Sequence, residues 1–197
     1  MTAQQMIDGV HTQAEGWSWD VVSVGIPAPV RANKVIAEPV NLGGGWVAVD
    51  YGARFGKPTK VVNDAAMQAV GSYDDGRMLF LGLGTGLGSA LVVEGVLVPL
   101  ELAHLPFRKR TFEEYVNDDA WKRLGKKKWK AAVFEVVAHL AGAMESDYIV
   151  LGGGGVDRLE ELPPNCRRGA NENAFRGGFR LWEREWDPGT SVVGAVD

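Results

Sequence analysis

The residue that most constrains this chain is glycine. There are 26 among 197 residues, and many gather at positions 43–45, 82–88 and 152–155 instead of spreading as in a linker. Glycines placed between apolar runs mark tight reversals or close backbone approach, so function is to be sought at these three clusters. Around them the pattern alternates between strand and helix. Thr2 and Gln5 have capping-box spacing for a first helix to about Glu15. Val21 to Ile26 reads as a buried strand stopped by Pro27 and Pro29, and Lys34 to Glu38 as a second extended piece. Trp46, Val49 and Ala53 recur at helical spacing. Lys60-Val61-Val62 is a short strand, and Asp64 to Val70 a helix. Met78 to Leu81, Ser89 to Val93 and Val96 to Val98 form a meander with hairpin turns. From Thr111 the pattern becomes helical. Trp129, Val133, Val136, Val137 and Leu140 make one stripe of a long helix starting at Lys126-Lys127-Lys128. Tyr148 to Leu151 is a further buried strand, and Asn173 to Trp186 a closing helix.

The length suits one generous domain or two small lobes, and 46% apolar with 23% charged residues is ordinary globular usage. Twenty-five acids against 21 bases give a net charge of -4, which argues against a nucleic-acid binder. No stretch approaches the ~18 apolar residues of a membrane span. Met1-Thr2-Ala3-Gln4-Gln5 lacks the charged and apolar regions of a signal peptide. A single cysteine, Cys166, allows no internal disulfide, so a cytoplasmic location is expected.

Gly82-Leu83-Gly84-Thr85-Gly86-Leu87-Gly88 joins two strands. It lacks both the G-x-G-x-x-G spacing of dinucleotide sites and the Gly-Lys-Ser/Thr of a P-loop. It is either a nest of backbone N–H groups that suits phosphate, or a hairpin needing positive φ at several positions. Gly152-Gly153-Gly154-Gly155 follows a strand and opens a short helix. It either admits a base or phosphate against the backbone or serves close strand–helix packing. Asp64, at the carboxyl end of a strand, is placed to take a proton from an attacking hydroxyl, and equally to cap the helix it opens. Glu101 and His104, three apart, are able to hydrogen-bond vicinal hydroxyls of a polyol, although a lone histidine is more often a structural hydrogen-bonder. No Cys/His cluster follows His104, which disfavours zinc. Asn41 precedes Leu42-Gly43-Gly44-Gly45-Trp46 and reads alone as a turn residue.

These segments occur in the order Gly25-Ile26-Pro27, Asn41-Leu42 to Trp46, Val62-Asn63-Asp64-Ala65, Leu83 to Gly88 with the meander through Val98, Glu101-Leu102-Ala103-His104, and Gly152-Gly153-Gly154. That order resembles the ROK family of sugar kinases, and within it the polyphosphate glucokinases, over about residues 20–185. The resemblance implies an α/β protein of the actin/hexokinase-like (ribonuclease H-like) fold, two lobes closing on a cleft, with the first lobe truncated at its N-terminus. The lobes are expected at 1–75, with a C-terminal helix at about 172–186 packing back on it, and at 76–171, the break falling near Asp74-Asp75-Gly76.

By the same resemblance Asp64 is the catalytic base for the sugar 6-hydroxyl, and Asn41, Asn63, Glu101 and His104 hold the hexose hydroxyls. Gly84, Thr85 and Gly86 cradle the donor's phosphates, while Gly152, Gly153 and Gly154 line the nucleotide or phosphate-chain site. Glucose or a similar hexose is the expected acceptor, polyphosphate or ATP the donor, and Mg²⁺ the metal. A homodimer is expected, without nucleic-acid or membrane partners. Three departures stand out. Pro106-Phe107-Arg108-Lys109-Arg110 replaces the cysteine-rich zinc motif, so no zinc is expected; its bases either meet a polyanion or form a solvated loop. Ala103 replaces the glycine of Glu-x-Gly-His. The family's opening Asp-x-Gly-Gly-Thr segment, which positions Mg²⁺, has no counterpart; Val49 to Arg54 is only superficially similar. The chain is therefore either a shortened form of a working kinase or a hexose-binding member with impaired or absent catalysis.

Overall fold

A computed structural model of the chain describes residues 1–183 and Trp186. The polypeptide forms two compact units, which divide between Asp64 and Ala65.

The first unit opens with α1 (Ala3–Gln13). The capping box read from sequence is present: Gln5 N–H donates to Thr2 Oγ at 3.2 Å and Thr2 N–H to Gln5 Oε1 at 2.8 Å. Strand β1 (Val22–Ile26) pairs in parallel with β4 (Thr59–Asn63), Val24 opposite Val61. Between them lie a small hairpin, β2 (Val30–Arg31) and β3 (Lys34–Val35), and a short helix, α2 (Tyr51–Phe55).

The hairpin turn Ala32-Asn33 has φ of 47° and 64°, the left-handed pair that a two-residue reversal requires. It aims the Asn33 amide at β4, where Nδ2 donates to the Thr59 carbonyl at 2.8 Å and Oδ1 accepts Val61 N–H. One side chain thus satisfies backbone groups on the edge of β4 away from β1.

The helical spacing from Trp46 produces helix only from Tyr51, because Asp50 caps it by accepting Ala53 N–H at 3.0 Å. Trp46 is instead a core residue, 3% exposed, packed with Ile7, Val24, Ile26, Tyr51 and Val61. Its loop is clamped by Glu38, whose carboxylate accepts Trp46 N–H at 3.0 Å and Val47 N–H at 3.2 Å.

In the second unit α3 (Asp64–Ser72) is followed by the expected meander: β5 (Arg77–Leu83), β6 (Leu87–Val93) and β7 (Val96–Leu100). Glu94-Gly95 closes its second turn with φ of 49° and 77°. A small hairpin, β8 (Pro106–Phe107) and β9 (Arg110–Thr111), leads to α4 (Glu113–Val116) and α5 (Asp118–Met144). Within α5 the regular backbone breaks at Gly125 (φ 73°, ψ 165°). The apolar stripe lies beyond that break and is fully used, Trp129 through Leu140 being at most 2% exposed.

Strand β10 (Tyr148–Gly152) and β11 (Cys166–Arg168) complete a sheet of order β11-β10-β5-β6-β7, in which β10 runs parallel to β5. A 3-10 turn, Gly154–Arg158, follows β10. Helix α6 (Asn173–Arg180) is shorter than the expected Asn173 to Trp186, and residues 184–185 lie outside the described set.

Helices α3 and α6 meet backbone to backbone. A Cβ on Gly71 would lie 1.8 Å from the Asn173 carbonyl oxygen, and one on Gly177 would lie 1.8 Å from that of Met67. Arg180 Nη1 then donates to the carbonyls of Val70 at 2.9 Å and Tyr73 at 2.8 Å, satisfying groups at the end of α3. These contacts tie α3 to α6 within the second unit.

Two predictions follow from this packing. Gly177→Ala is expected to destabilise by about 1–3 kcal/mol through overpacking. Gly142→Ala, in α5 with nothing within 4 Å of its added Cβ, is expected to be neutral or to stabilise by up to about 1 kcal/mol. Urea unfolding of the two variants reads the contrast. The Trp46 and Val47 amides, Trp46 foremost, hold the Glu38 carboxyl below its ordinary 4.5 against an opposing desolvation. Its stabilisation is therefore present above pH 4.5 and is lost as pH falls through the depressed folded value. Glu38→Gln should shrink the gap to wild type on acidification; a gap that widens would contradict the clamp.

Candidate active site

The register of the parallel pair β5–β10 sets Gly82 opposite Gly152. Two of the three glycine clusters thus emerge side by side from the carboxyl ends of neighbouring strands, where α/β sheets present ligand sites.

The first cluster turns from β5 to β6 through Gly84-Thr85-Gly86. None of Gly82, Gly84, Gly86 or Gly88 has a left-handed φ, so the hairpin does not need glycine for the positive φ allowed for in the sequence. Gly86 and Gly88 answer to crowding instead, while Gly82 meets only an ordinary contact. A Cβ on Gly88 would lie 2.8 Å from the Ala65 methyl, one on Gly86 2.6 Å from Glu113 Oε2, and one on Gly82 3.4 Å from the Phe80 ring. Gly84 faces open space. Its N–H is used inside the turn, donating to the Gly86 carbonyl at 3.1 Å, and Leu87 N–H donates to Glu113 Oε2 at 3.0 Å. The Thr85 side chain is exposed. The donors left to an incoming anion are the N–H groups of Thr85 and Gly86 and the Thr85 hydroxyl.

In the second cluster packing takes most of the glycines. Gly152 lies against the Phe80 ring, 2.6 Å from an added Cβ. Gly153 (φ 77°) and Gly155 lie against the Leu83 carbonyl oxygen, at 2.2 and 2.9 Å from theirs. Gly154 alone faces open space. The third cluster, Gly43-Gly44-Gly45, belongs to the first unit, where Gly43 N–H donates to the Met1 carbonyl at 2.9 Å and Asn41 is exposed.

Asn63 and Asp64 sit at the junction of β4 with α3. Asn63 Nδ2 donates to the Ala28 carbonyl at 3.2 Å, which fixes the loop after β1. Asp64 is half-buried in the first turn of α3, where helix polarity favours an anion.

Glu101 and His104 flank Leu102 and Ala103, which are 7% and 4% exposed; burying the middle pair leaves the acid and the imidazole facing solvent. Leu102 N–H donates to Ser89 Oγ at 3.2 Å, and the Ala103 carbonyl accepts Glu113 N–H at 3.0 Å. Ala103 does not have positive φ, so its methyl carries no backbone strain.

Glu113 went unread in the sequence because Glu113-Glu114 looks like any acidic first turn. It holds the Glu101–His104 segment by its amide and the Gly84–Gly86 turn by its carboxylate.

Two of the three bases after His104 are committed. Arg108 pairs with Glu135, and Arg110 pairs with Glu114 at 3.0 Å. Burial pushes the Cys166 thiol up to about 12, so it stays protonated. Among the described residues no three His, Cys, Asp or Glu side chains gather around a point that would hold a metal. A cleft of about 430 Å³ in the first unit is walled by residues including Asn33, Lys34, Asp50 and Tyr51, and by none of the candidate residues. No helix among the described residues is long and apolar enough to cross a membrane.

No protein-family model and no curated protein sequence matches the chain. Solved structures do. The inorganic polyphosphate/ATP-glucomannokinase of Arthrobacter sp. strain KM superposes with TM-score 0.70 at 25% identity, covering 88% of this chain and 78% of that one. A ROK family glucokinase from Streptomyces griseus, solved with glucose and AMPPNP, gives 0.68 at 16% identity over 91% and 88%. The ROK hexokinase of Thermus thermophilus gives 0.66 at 18% over 90% and 85%. The fold is thus the mixed α/β, hexokinase-like fold of ROK sugar kinases.

The crowding at Gly86 makes a local prediction. Gly86→Ala is expected to displace the Glu113 carboxylate and speed amide exchange at Leu87, whereas Gly84→Ala leaves that exchange unchanged. Heteronuclear NMR follows the Leu87 amide in both variants; equal effects would contradict the support that Glu113 gives the turn.

Proposed function

We propose that the protein is a sugar kinase that transfers a phosphoryl group from polyphosphate or ATP to the 6-hydroxyl of glucose or a similar hexose. The observation that carries this reading is the likeness to the polyphosphate/ATP-glucomannokinase, which spans most of both chains. The side-by-side emergence of the two glycine segments supports it, because a phosphate chain needs an open, amide-lined edge.

On this reading Asn41, Asn63, Glu101 and His104 bind the hexose hydroxyls. The 6-hydroxyl oxygen attacks the terminal phosphorus of the donor, and the bond to the bridging oxygen breaks. The hydroxyl proton passes to the Asp64 carboxylate, and the leaving oxygen departs with ADP or the shortened polyphosphate. Thr85 and Gly86 meet charge on the transferred group through their amides and the Thr85 hydroxyl. Gly154, the member of its cluster not used in packing, borders the passage for the rest of the donor.

A coupled assay for glucose 6-phosphate, run with each donor separately, tests the reading. Turnover with neither donor would refute it. Asp64→Asn is expected to lower kcat by about 10²–10⁴, the usual share of general-base catalysis, while calorimetric glucose binding persists. Unchanged turnover in that variant would overturn the role of Asp64 alone.

A further inference from the structure

We propose that Asp118 and Arg158 form a positioning clasp that sets the Gly84–Gly86 turn and the Gly153–Arg158 turn relative to each other; as a device for catalysis it rests on the kinase reading. Asp118 is the first residue of α5, just after the Asn117 cap. Its backbone N–H donates to the Gly84 carbonyl at 2.9 Å. Its carboxylate Oδ1 lies 2.7 Å from Nη1 of Arg158, the last residue of the 3-10 turn. One acid therefore grips one glycine segment through its main chain and the other through its side chain.

The pair differs from the other ion pairs of this unit. Lys122–Asp119, on the same helix, has side chains 74% and 78% exposed, where an ion pair contributes little. Those of Arg158 and Asp118 are 31% and 34% exposed, and Arg158 Nη1 is buried. That nitrogen makes no aligned hydrogen bond, so its contact with Asp118 is one of charge and proximity. The guanidinium lies 5.3 Å from the centre of the Trp121 ring, and Trp121 meets the buried Trp129 edge-on at 5.1 Å. Arg158 is thus held between a carboxylate and an aromatic wall anchored in the core, which restricts its rotamers. The first turn is also held by Glu113, and the second by Arg168, which donates to the Val156 carbonyl at 2.6 Å and the Leu159 carbonyl at 2.7 Å; the two segments meet where Gly153 and Gly155 lie against the Leu83 carbonyl. Asp118 and Arg158 add a second tie between the two turns, at the Arg158 end of the 3-10 turn and away from the Leu83 contact.

Such a clasp matters for a donor that must lie against both turns at once, since placing reacting groups is most of what an enzyme contributes to phosphoryl transfer. The test compares wild type with Asp118→Asn, Arg158→Gln, the double variant, and Asp119→Asn as an exposed control. Each single variant is expected to raise the donor KM about tenfold, leaving the hexose KM within about twofold. The double variant should be no worse than the weaker single one, because both remove the same contact.

Amide exchange supplies a readout that needs no turnover. Arg158→Gln should loosen the Thr85 to Leu87 amides as well as those near its own position, and Asp118→Asn should loosen Gly153 to Val156. Loosening confined to the segment that carries the substitution would overturn the clasp, as would additive kinetic losses or a fall in melting temperature with unchanged KM. Should Arg158→Gln fail to fold, Arg158→Lys retains the charge, loses the guanidinium that lies over the Trp121 ring, and is read by the same two measurements. A wild type without kinase activity would sink the proposed function and leave the clasp to be judged on exchange alone.

Discussion

The parallel pairing of β10 with β5 is the constraint on which the second unit depends. Its register sets Gly82 against Gly152, so both chains leave the sheet at the same edge and turn within contact distance of each other. Only residues without a side chain fit there, because the Leu83 carbonyl fills the space that a Cβ on Gly153 or Gly155 would need. The apolar residues of β5 and β10 hold that register from below. Leu79, Leu81, Ile149 and Leu151 are all within 2% of full burial, and a one-residue slip would move them to the sheet's opposite face, out of the packing they fit.

Around this edge the segment from Glu113 to Asp118 acts as a frame. Glu113 reaches Ala103 and Leu87, Asp118 reaches Gly84 and Arg158, and Trp129 Nε1 anchors the connection through the Val116 carbonyl at 2.9 Å. Rigid support from helices suits a site assembled from turns, since turns alone hold geometry poorly. The α3–α6 crossing does comparable work behind the sheet, where two glycines bring helix backbones into contact. The exposed Phe175 and Phe179 on α6 are left to solvent, as the face toward α3 is committed to Gly177.

Much of this was legible in the residues. Local signals carried the capping box of α1, the strands from Lys60 and Met78, the meander, the buried stripe of α5 and strand β10, because each rests on periodicity or on a single turn. The helix expected from Trp46 begins only at Tyr51, since burial of the indole in the core outweighed its helical spacing. The β2–β3 hairpin escaped notice because Ala32 carries no turn preference; Asn33 holds it there by bonding to β4. The bases after His104 read equally as a polyanion patch or a solvated loop. Glu135 and Glu114 neutralise two of them, and neither pairing is visible from composition.

By itself the sequence determined where the chain reverses and which faces are apolar, and it carries glycines, one aspartate and an acid–imidazole pair in an order that resembles that of sugar kinases. Those properties live in neighbouring residues and survive without knowledge of the fold. What each glycine is for was decided by the tertiary structure. Gly152, Gly153 and Gly155 are spent on packing while Gly154 stays open, and in the other turn the Gly84 amide is used within the turn while those of Thr85 and Gly86 are not. The physical reason is that steric fit and the satisfaction of an N–H group depend on atoms brought from far along the chain, such as the Leu83 carbonyl and the Glu113 carboxylate, and no local pattern encodes their arrival.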